Sequence, residues 1–312
     1  LIMLAKSALD AVGNTPLVNL QKLLPTGAAE VWLKLEGGNP TGSYKDRMAA
    51  SVLTEAMRRQ ELSPGDRVIE FTGGSTGTAL AFAASVLSLK FTAVFSDAFS
   101  HSKRQAMEAF GASVLVEKST DGTITPELIQ RMKSRALSLA SEPNCFYADQ
   151  FGSPDVRKGY EAMGHEIATD LGGHLDFLVA AVGTGAALMG TVDGLEKAGI
   201  SPNVIALEPL QSPFLTTGQG GPHKIEGIGV GFEPPFLDRE RLHGIRTIDQ
   251  NAAFNMCRRL ANETGIFCGA STGLNVVAAL ELALELGPNH RIVTLACDSG
   301  MKYLSGDIFT RD

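Results

Sequence analysis

"VIEFTGGSTGTALAF" (residues 68–82) passes from an apolar run through a loop of small residues into a row of helix formers. "FLVAAVGTGAALMGTV" (residues 177–192) has the same form. Each reads as a strand, a tight turn and a helix. The first N–H groups of such a helix lack intrahelical partners and lie at the positive end of its dipole, so the turn suits an anion. Glycine lets the backbone approach that anion closely. Neither turn matches G-x-x-x-x-G-K-[ST], which disfavours a nucleoside triphosphate. "GTGAAL" does not complete G-x-G-x-x-G, and no ribose-binding acid follows at convincing spacing, so a dinucleotide is disfavoured too. A single turn of this kind is explained as well by close packing. A third, "FCGASTGLNVV" (residues 267–277), also opens a helix, and capping alone would account for its Ser271 and Thr272.

Strand-like and helix-like stretches alternate around these turns. "DRVIEF" (66–71), "FTAVFS" (91–96), "ASVLVEK" (112–118), "LDFLVAAV" (175–182), "NVIALEP" (203–209) and "RIVTLACDSG" (291–300) read as strands. "TALAFAASVLSL" (78–89), "HSKRQAMEAFG" (101–111), "TPELIQRMKSRALSLASE" (125–142), "LMGTVDGLEKAG" (188–199) and "LNVVAALELALELG" (274–287) read as helices. The alternation predicts an α/β fold, a mostly parallel sheet with helices on both faces. Residues 211–238, rich in Gly and Pro, read as one long ordered loop, and loops of that length in compact enzymes are usually functional.

The 312 residues, 44% hydrophobic, suffice for two packed lobes or one large domain. Net charge is −7 and no basic run exists, which excludes a nucleic-acid footprint. Apolar runs such as 175–182 are far too short to span a bilayer. The opening "LIMLAKSALDAVGN" (1–14) has no small-residue cleavage site and does not fit a signal peptide. Cys145, Cys257, Cys268 and Cys297 show no C-x-x-C spacing and read as free thiols in a reducing cytoplasm; the six scattered histidines offer no metal site.

In "NPTGSYKDRMAAS" (39–51), Pro40 and Gly42 read as a turn, and Ser43 to Asp46 fits an S-x-x-D capping box ahead of a helix reaching Arg59. Lys45 then falls in the first turn, where the dipole disfavours a cation. A solubilising lysine would sit better at the other end; a surface lysine with no role is the plain alternative.

Six stretches, in this order, resemble the cysteine synthase family: "GNTPLVNL" (13–20), "KLEGGNPTGSYKDR" (34–47), "TGGSTG" (72–77), "VGTGA" (182–186), "GPHKIEGIGVGF" (221–232) and "GASTG" (269–273). These are pyridoxal 5'-phosphate (PLP) enzymes of the tryptophan synthase β-subunit fold type, fold type II. The resemblance runs from Gly13 to about Tyr303. It implies two domains, each a mostly parallel twisted sheet flanked by helices, with PLP in the cleft between them. A smaller mobile domain, residues 40–147, would hold the substrate carboxylate. A larger one, residues 1–39 with 148–312, would hold the cofactor phosphate. The resemblance also implies a cytoplasmic homodimer.

By the same resemblance, Lys45 forms the Schiff base with the cofactor aldehyde and later removes the substrate Cα proton. Helix dipole and burial disfavour its ammonium form, which suits both tasks. Gly183, Thr184, Gly185, Ala186 and Ala187 would hold the phosphate. Ser271 would face the pyridine nitrogen and leave it unprotonated, weakening the electron sink so that loss of a β-substituent competes better with racemisation. Thr72, Gly73, Gly74, Ser75, Thr76, Gln150 and Gly227 are implied on the substrate side, and Ser75 touches the cofactor as well. The implied reaction is β-replacement on an O-activated L-serine, with O-acetylserine favoured by "GPHKIEGIG". Sulfide or another small nucleophile adds to an α-aminoacrylate, giving L-cysteine or a related β-substituted alanine.

The chain departs from the family pattern at Gly73 (usually serine), Ser75 (usually asparagine) and Ala187 (usually threonine). "GYEAMGHEI" (159–167) also lacks two expected threonines. These changes bear on the substrate more than on the cofactor. Two other readings stand beside the first. One is a PLP-dependent β-lyase or serine dehydratase-like enzyme releasing pyruvate. The other is a non-catalytic homologue that binds a metabolite or a partner, against which Lys45 and Ser271 speak.

Overall fold

The computed structural model describes residues 4–122 and 124–310; residues 1–3, part of the opening stretch read above as no signal peptide, lie outside them. In chain order the elements are β1 (Leu17–Asn19), β2 (Glu30–Leu35), α1 (Lys45–Arg58), β3 (Arg67–Phe71), α2 (Ser75–Val86), β4 (Lys90–Ser96), α3 (His101–Ala109), β5 (Ser113–Glu117), α4 (Pro126–Ala140) and β6 (Cys145–Tyr147). There follow α5 (Pro154–Lys158), α6 (Glu161–Asp170), β7 (Phe177–Ala181), α7 (Ala186–Lys197), β8 (Asn203–Pro209), α8 (Phe214–Thr217), β9 (Gly244–Ile248), α9 (Gln250–Arg259), α10 (Ala270–Leu286) and β10 (Arg291–Ala296). They form two compact units. The first joins the described residues up to Val12 to Asn39–Gly159; the second joins Gly13–Gly38 to the described residues from Tyr160 onward.

The first unit holds a sheet in the order β5-β4-β3-β6, parallel throughout. Its central strands are apolar on both faces, as a covered parallel sheet requires: Val68, Ile69, Phe71, Phe91, Ala93, Val94 and Phe95 are all buried. Helix α4 sets Leu128, Met132 and Ala136, spaced by four, against Ile69, Phe71 and Val94. Thr125 caps this helix, its Oγ1 accepting the Leu128 N–H at 3.2 Å. The unit extends past the expected boundary at 147. A Cβ on Gly159 would lie 2.8 Å from the Arg47 carbonyl oxygen, and Arg59 pairs with buried Asp155 at 2.7 Å. These contacts tie residues 148–159 to α1.

The second unit holds a sheet in the order β1-β2-β10-β7-β8-β9, parallel except for β1 against β2. Leu274, Ala278 and Leu282 of α10 pack with Leu33, Val179 and Ile292 in its core. Lys34 is wholly buried on β2, yet its Nζ lies 2.9 Å from Glu166 and donates to the Thr15 carbonyl at 2.6 Å, so the charge is matched.

Strands β1, β2, β6 and β9 have no counterpart in the sequence reading. Three of them are half-buried edges, and β2 carries Glu30 and Lys34 in its short run. Helices α2, α7 and α10 each start a few residues earlier than their composition suggests, inside the small-residue turns themselves. Residues 211–238 contain only the short α8 and are otherwise irregular. No helix of the described residues is long and apolar enough to cross a membrane.

Candidate active site

Lys45 is the first residue of α1, and Tyr44, rather than Ser43, is the residue before the helix. The helix thus starts one residue later than an S-x-x-D box from Ser43 would place it. The Asp46 carboxylate reaches further back, accepting the Thr41 N–H at 2.7 Å and the Thr41 hydroxyl. Ser43 Oγ accepts the Lys45 N–H at 3.3 Å. Lys45 is half-buried, with Nζ 4.9 Å from the centre of the Tyr44 ring, a cation–π distance.

Thr72–Gly74 join β3 to α2. Thr72 Oγ1 accepts the N–H groups of Gly74 and Gly77, both at 3.2 Å, and folds the turn over the helix start. The Phe99 ring fills the space that a Cβ on Gly73 would need, with Cζ at 2.7 Å. Gly73 in place of serine therefore has a local cause. Thr76 Oγ1 donates to Gln150 Oε1 at 2.9 Å, and Gln150 Nε2 donates to the Phe71 carbonyl at 3.0 Å. Thr72, Gly73, Gly74, Ser75, Thr76 and Gln150 thus gather at the start of α2. Just ahead of them, Glu70 is wholly buried, and desolvation pushes its carboxyl up to about 8.

In the second unit, Val182–Gly185 join β7 to α7. Gly185 stands before the helix at φ +86°, a conformation that favours glycine, and a Cβ there would lie 2.7 Å from the Leu237 nitrogen. Thr184 Oγ1 accepts the Ala186 N–H at 3.3 Å. The Gly227 carbonyl closes on Gly183 from the long loop, whose shape His223 fixes: Nδ1 accepts from Ile225 N at 3.2 Å and Nε2 lies 3.1 Å from the Gly229 carbonyl. Gly183, Thr184, Gly185, Ala186, Ala187 and Gly227 are therefore neighbours. The Cβ positions of Gly183 and Gly185 are taken by the Gly227 carbonyl and by Leu237, so only glycine lets the loop pack this closely; the turn lies at the positive end of a helix, which suits a phosphate.

Ser271 and Thr272 do not cap α10. The residue before that helix is Gly269, and no side chain caps it. Thr272 Oγ1 instead accepts the Cys297 N–H at 3.0 Å, and Ser271 is buried at the second helical position. Asn275, one turn on, ties α10 to the strands: its Oδ1 accepts the Ala181 N–H and its Nδ2 donates to Leu295 O, both at 2.7 Å. Sequence reasoning passed over Glu70, Phe99 and Asn275. A carboxylate inside "VIEF" and an amide inside "LNVVAAL" were the available signals, since a buried polar side chain in an apolar run must have partners.

Residues 8–298 match the family of pyridoxal-phosphate dependent enzymes. The chain belongs to this family. It is 35% identical over 303 residues to the cysteine synthase of Staphylococcus aureus, covering 96% of each chain. It is 36% identical over 309 residues to the O-ureido-L-serine synthase of Streptomyces lavendulae, covering 98% of this chain and 93% of that one. The crystal structure of O-acetyl serine sulfhydrylase isoform 3 from Entamoeba histolytica matches with a TM-score of 0.91 at 32% identity, covering 99% of this chain and 93% of that one. This member of the pyridoxal-phosphate dependent family is accordingly a PLP enzyme of the cysteine synthase type, with that type's fold.

Proposed function

We propose that the enzyme replaces the β-substituent of an O-activated L-serine, O-acetylserine foremost, with sulfide or another small nucleophile, giving L-cysteine or a related β-substituted alanine. The observation that carries this reading is the pair of glycine-built helix starts, one at α2 with Thr72 and Gln150, the other at α7 with Gly183 and Gly185. Each suits an anion: the substrate carboxylate at the first, the cofactor phosphate at the second.

PLP, when bound, supplies the electron sink for bond breaking at the substrate Cα. Lys45 would hold the cofactor covalently and carry the proton to and from Cα. Backbone N–H groups at the start of α2, with Thr76 and Gln150, orient the carboxylate. Ser75 and Gly227 complete the substrate side. Gly183, Thr184, Gly185, Ala186 and Ala187 would hold the phosphate. Ser271 would offer the ring nitrogen a hydroxyl rather than a carboxylate, which would favour loss of the β-substituent over racemisation. The names of the staphylococcal and Entamoeba relatives support cysteine as product and O-acetylserine as donor. A cytoplasmic homodimer belongs to the same reading, and four free cysteines are consistent with a reducing compartment.

The test is to mix the holoenzyme with O-acetylserine and sulfide and to quantify cysteine and pyruvate by mass spectrometry. Cysteine as the main product supports the reading. Pyruvate without cysteine at saturating sulfide would overturn it in favour of a β-lyase.

A further inference from the structure

We propose that Glu70 is a positioning residue for the substrate: it fixes Gln150, and through Gln150 the hydroxyl of Thr76, at the start of α2. This rests on the reading of that helix start as the substrate-carboxylate site.

Strands β3 and β6 pair in parallel from Arg67 opposite Cys145 to Ile69 opposite Tyr147, and Ala148 N still donates to Ile69 O at 3.0 Å. The ladder then ends, because Asp149, at φ +51°, turns the chain out of the strand. Side chains take over where the backbones part. Glu70 Oε1 accepts the Phe71 N–H and Oε2 accepts the Gln150 N–H, both at 3.0 Å. Gln150 Nε2 returns to the Phe71 carbonyl at 3.0 Å, and Gln150 Oε1 accepts from Thr76 at 2.9 Å. A continuous run of hydrogen bonds thus leads from a wholly buried carboxyl to the first turn of α2. Without Glu70, the buried Phe71 N–H and the half-buried Gln150 N–H lose their acceptor, and the Gln150 amide loses the anchor of its own backbone.

The titratable groups facing Glu70 are Tyr147 on β6 and Asp149 just beyond it. Neither supplies positive charge. Burial and Asp149 together push the Glu70 carboxyl up to about 8. Its negative charge is thereby disfavoured beside a site meant for a carboxylate. Above that value the carboxyl ionises and opposes the substrate.

The experiment uses holoenzyme variants Glu70→Ala, Glu70→Gln and Gln150→Ala. L-alanine, which has no β-leaving group, is titrated in and followed by the change in cofactor absorbance, alongside KM and kcat for O-acetylserine. Glu70→Ala is expected to raise the alanine Kd and the O-acetylserine KM about tenfold, with kcat changed less than about twofold. Glu70→Gln keeps one acceptor but turns an NH2 toward the other N–H, for a loss of about threefold. Affinity of the parent should fall as pH rises through about 8, more steeply than in Glu70→Gln. If Glu70→Ala does not fold, Glu70→Gln and the pH profiles decide. Parent-like Kd and pH profile in Glu70→Gln, with Gln150→Ala weakened, overturn the proposal alone. Normal binding by Gln150→Ala overturns the carboxylate-site reading and this proposal with it.

Discussion

The carbonyl oxygen of Gly227 occupies the space that a Cβ on Gly183 would need. The contact closes the long Gly- and Pro-rich loop onto the turn ahead of α7, and Gly229 N donating to Val182 O at 3.0 Å holds the two segments together. Gly183→Ala must push that loop away, and overpacking of this sort costs about 1–3 kcal/mol. Titration of the apoenzyme with PLP, followed by visible absorbance, should show an affinity loss of about tenfold or more. Unchanged affinity would separate this turn from the cofactor.

Lys45 at the first position of α1 is expected to carry PLP. Lys45→Ala should lose the visible band of the lysine-bound cofactor. Borohydride reduction of the parent followed by peptide mapping should mark Lys45. A label on Lys34 or Lys302 would refute the assignment.

Phe99 and Gly73 share one small volume. Gly73→Ser should destabilise the protein by about 1–3 kcal/mol in urea unfolding. Phe99→Leu, which withdraws the ring edge, should restore much of that loss in the double variant. The two changes are expected to be non-additive, as for residues in contact. Strict additivity would mean that the ring has room to move aside.

Ser75 offers one donor on a shorter arm than an asparagine amide. A missing hydrogen bond to a charged group costs roughly 1–3 kcal/mol, about tenfold to a hundredfold in affinity. Ser75→Asn is expected to raise kcat/KM on O-acetylserine and to weaken action on the natural substrate. The comparison runs over O-acetylserine, O-phosphoserine and serine in parent and variant. A parent already efficient on O-acetylserine, with a worse variant, would show that Ser75 builds the same loop another way.

Stability should carry the mark of Glu70. In the unfolded chain this carboxyl ionises near its ordinary value of 4.5, whereas burial raises it to about 8 in the folded state. Between those values the folded protein holds a proton that the unfolded chain has released. The contribution of Glu70 to stability is therefore full below about 4.5 and is lost as pH rises toward about 8. Urea unfolding at about pH 5 and about pH 8 should show the parent losing on the order of a few kcal/mol relative to Glu70→Gln.

The alternation around "VIEFTGG" and "FLVAAVG" was enough to read the parallel α/β plan, because those strands are covered on both faces and, Glu70 apart, are apolar. Edge strands such as β9 were not legible, since "GIRTI" is half-buried and owes its pairing to neighbours distant in sequence. The turns that gather Thr72–Thr76 and Gly183–Ala187 announced themselves through glycine. The reason why Gly73 is glycine did not, because Phe99 meets it only after folding. Glu70 escaped for the same reason: its partners Phe71 and Gln150 are joined by the ending of a strand ladder, which no local pattern records.

Strand β10 lies between β2 and β7, and its pairing joins Arg291 to Glu30, 261 residues apart. Until β10 emerges from the ribosome, β2 and β7 each lack their shared neighbour, and the six-stranded sheet remains two fragments with exposed edges. The four-stranded sheet has all its strands once residue 147 is made. Biosynthesis thus completes one sheet early and leaves the other waiting on β10, the final strand among the described residues. Such long-range closure slows folding and prolongs the exposure of apolar strand edges to other chains.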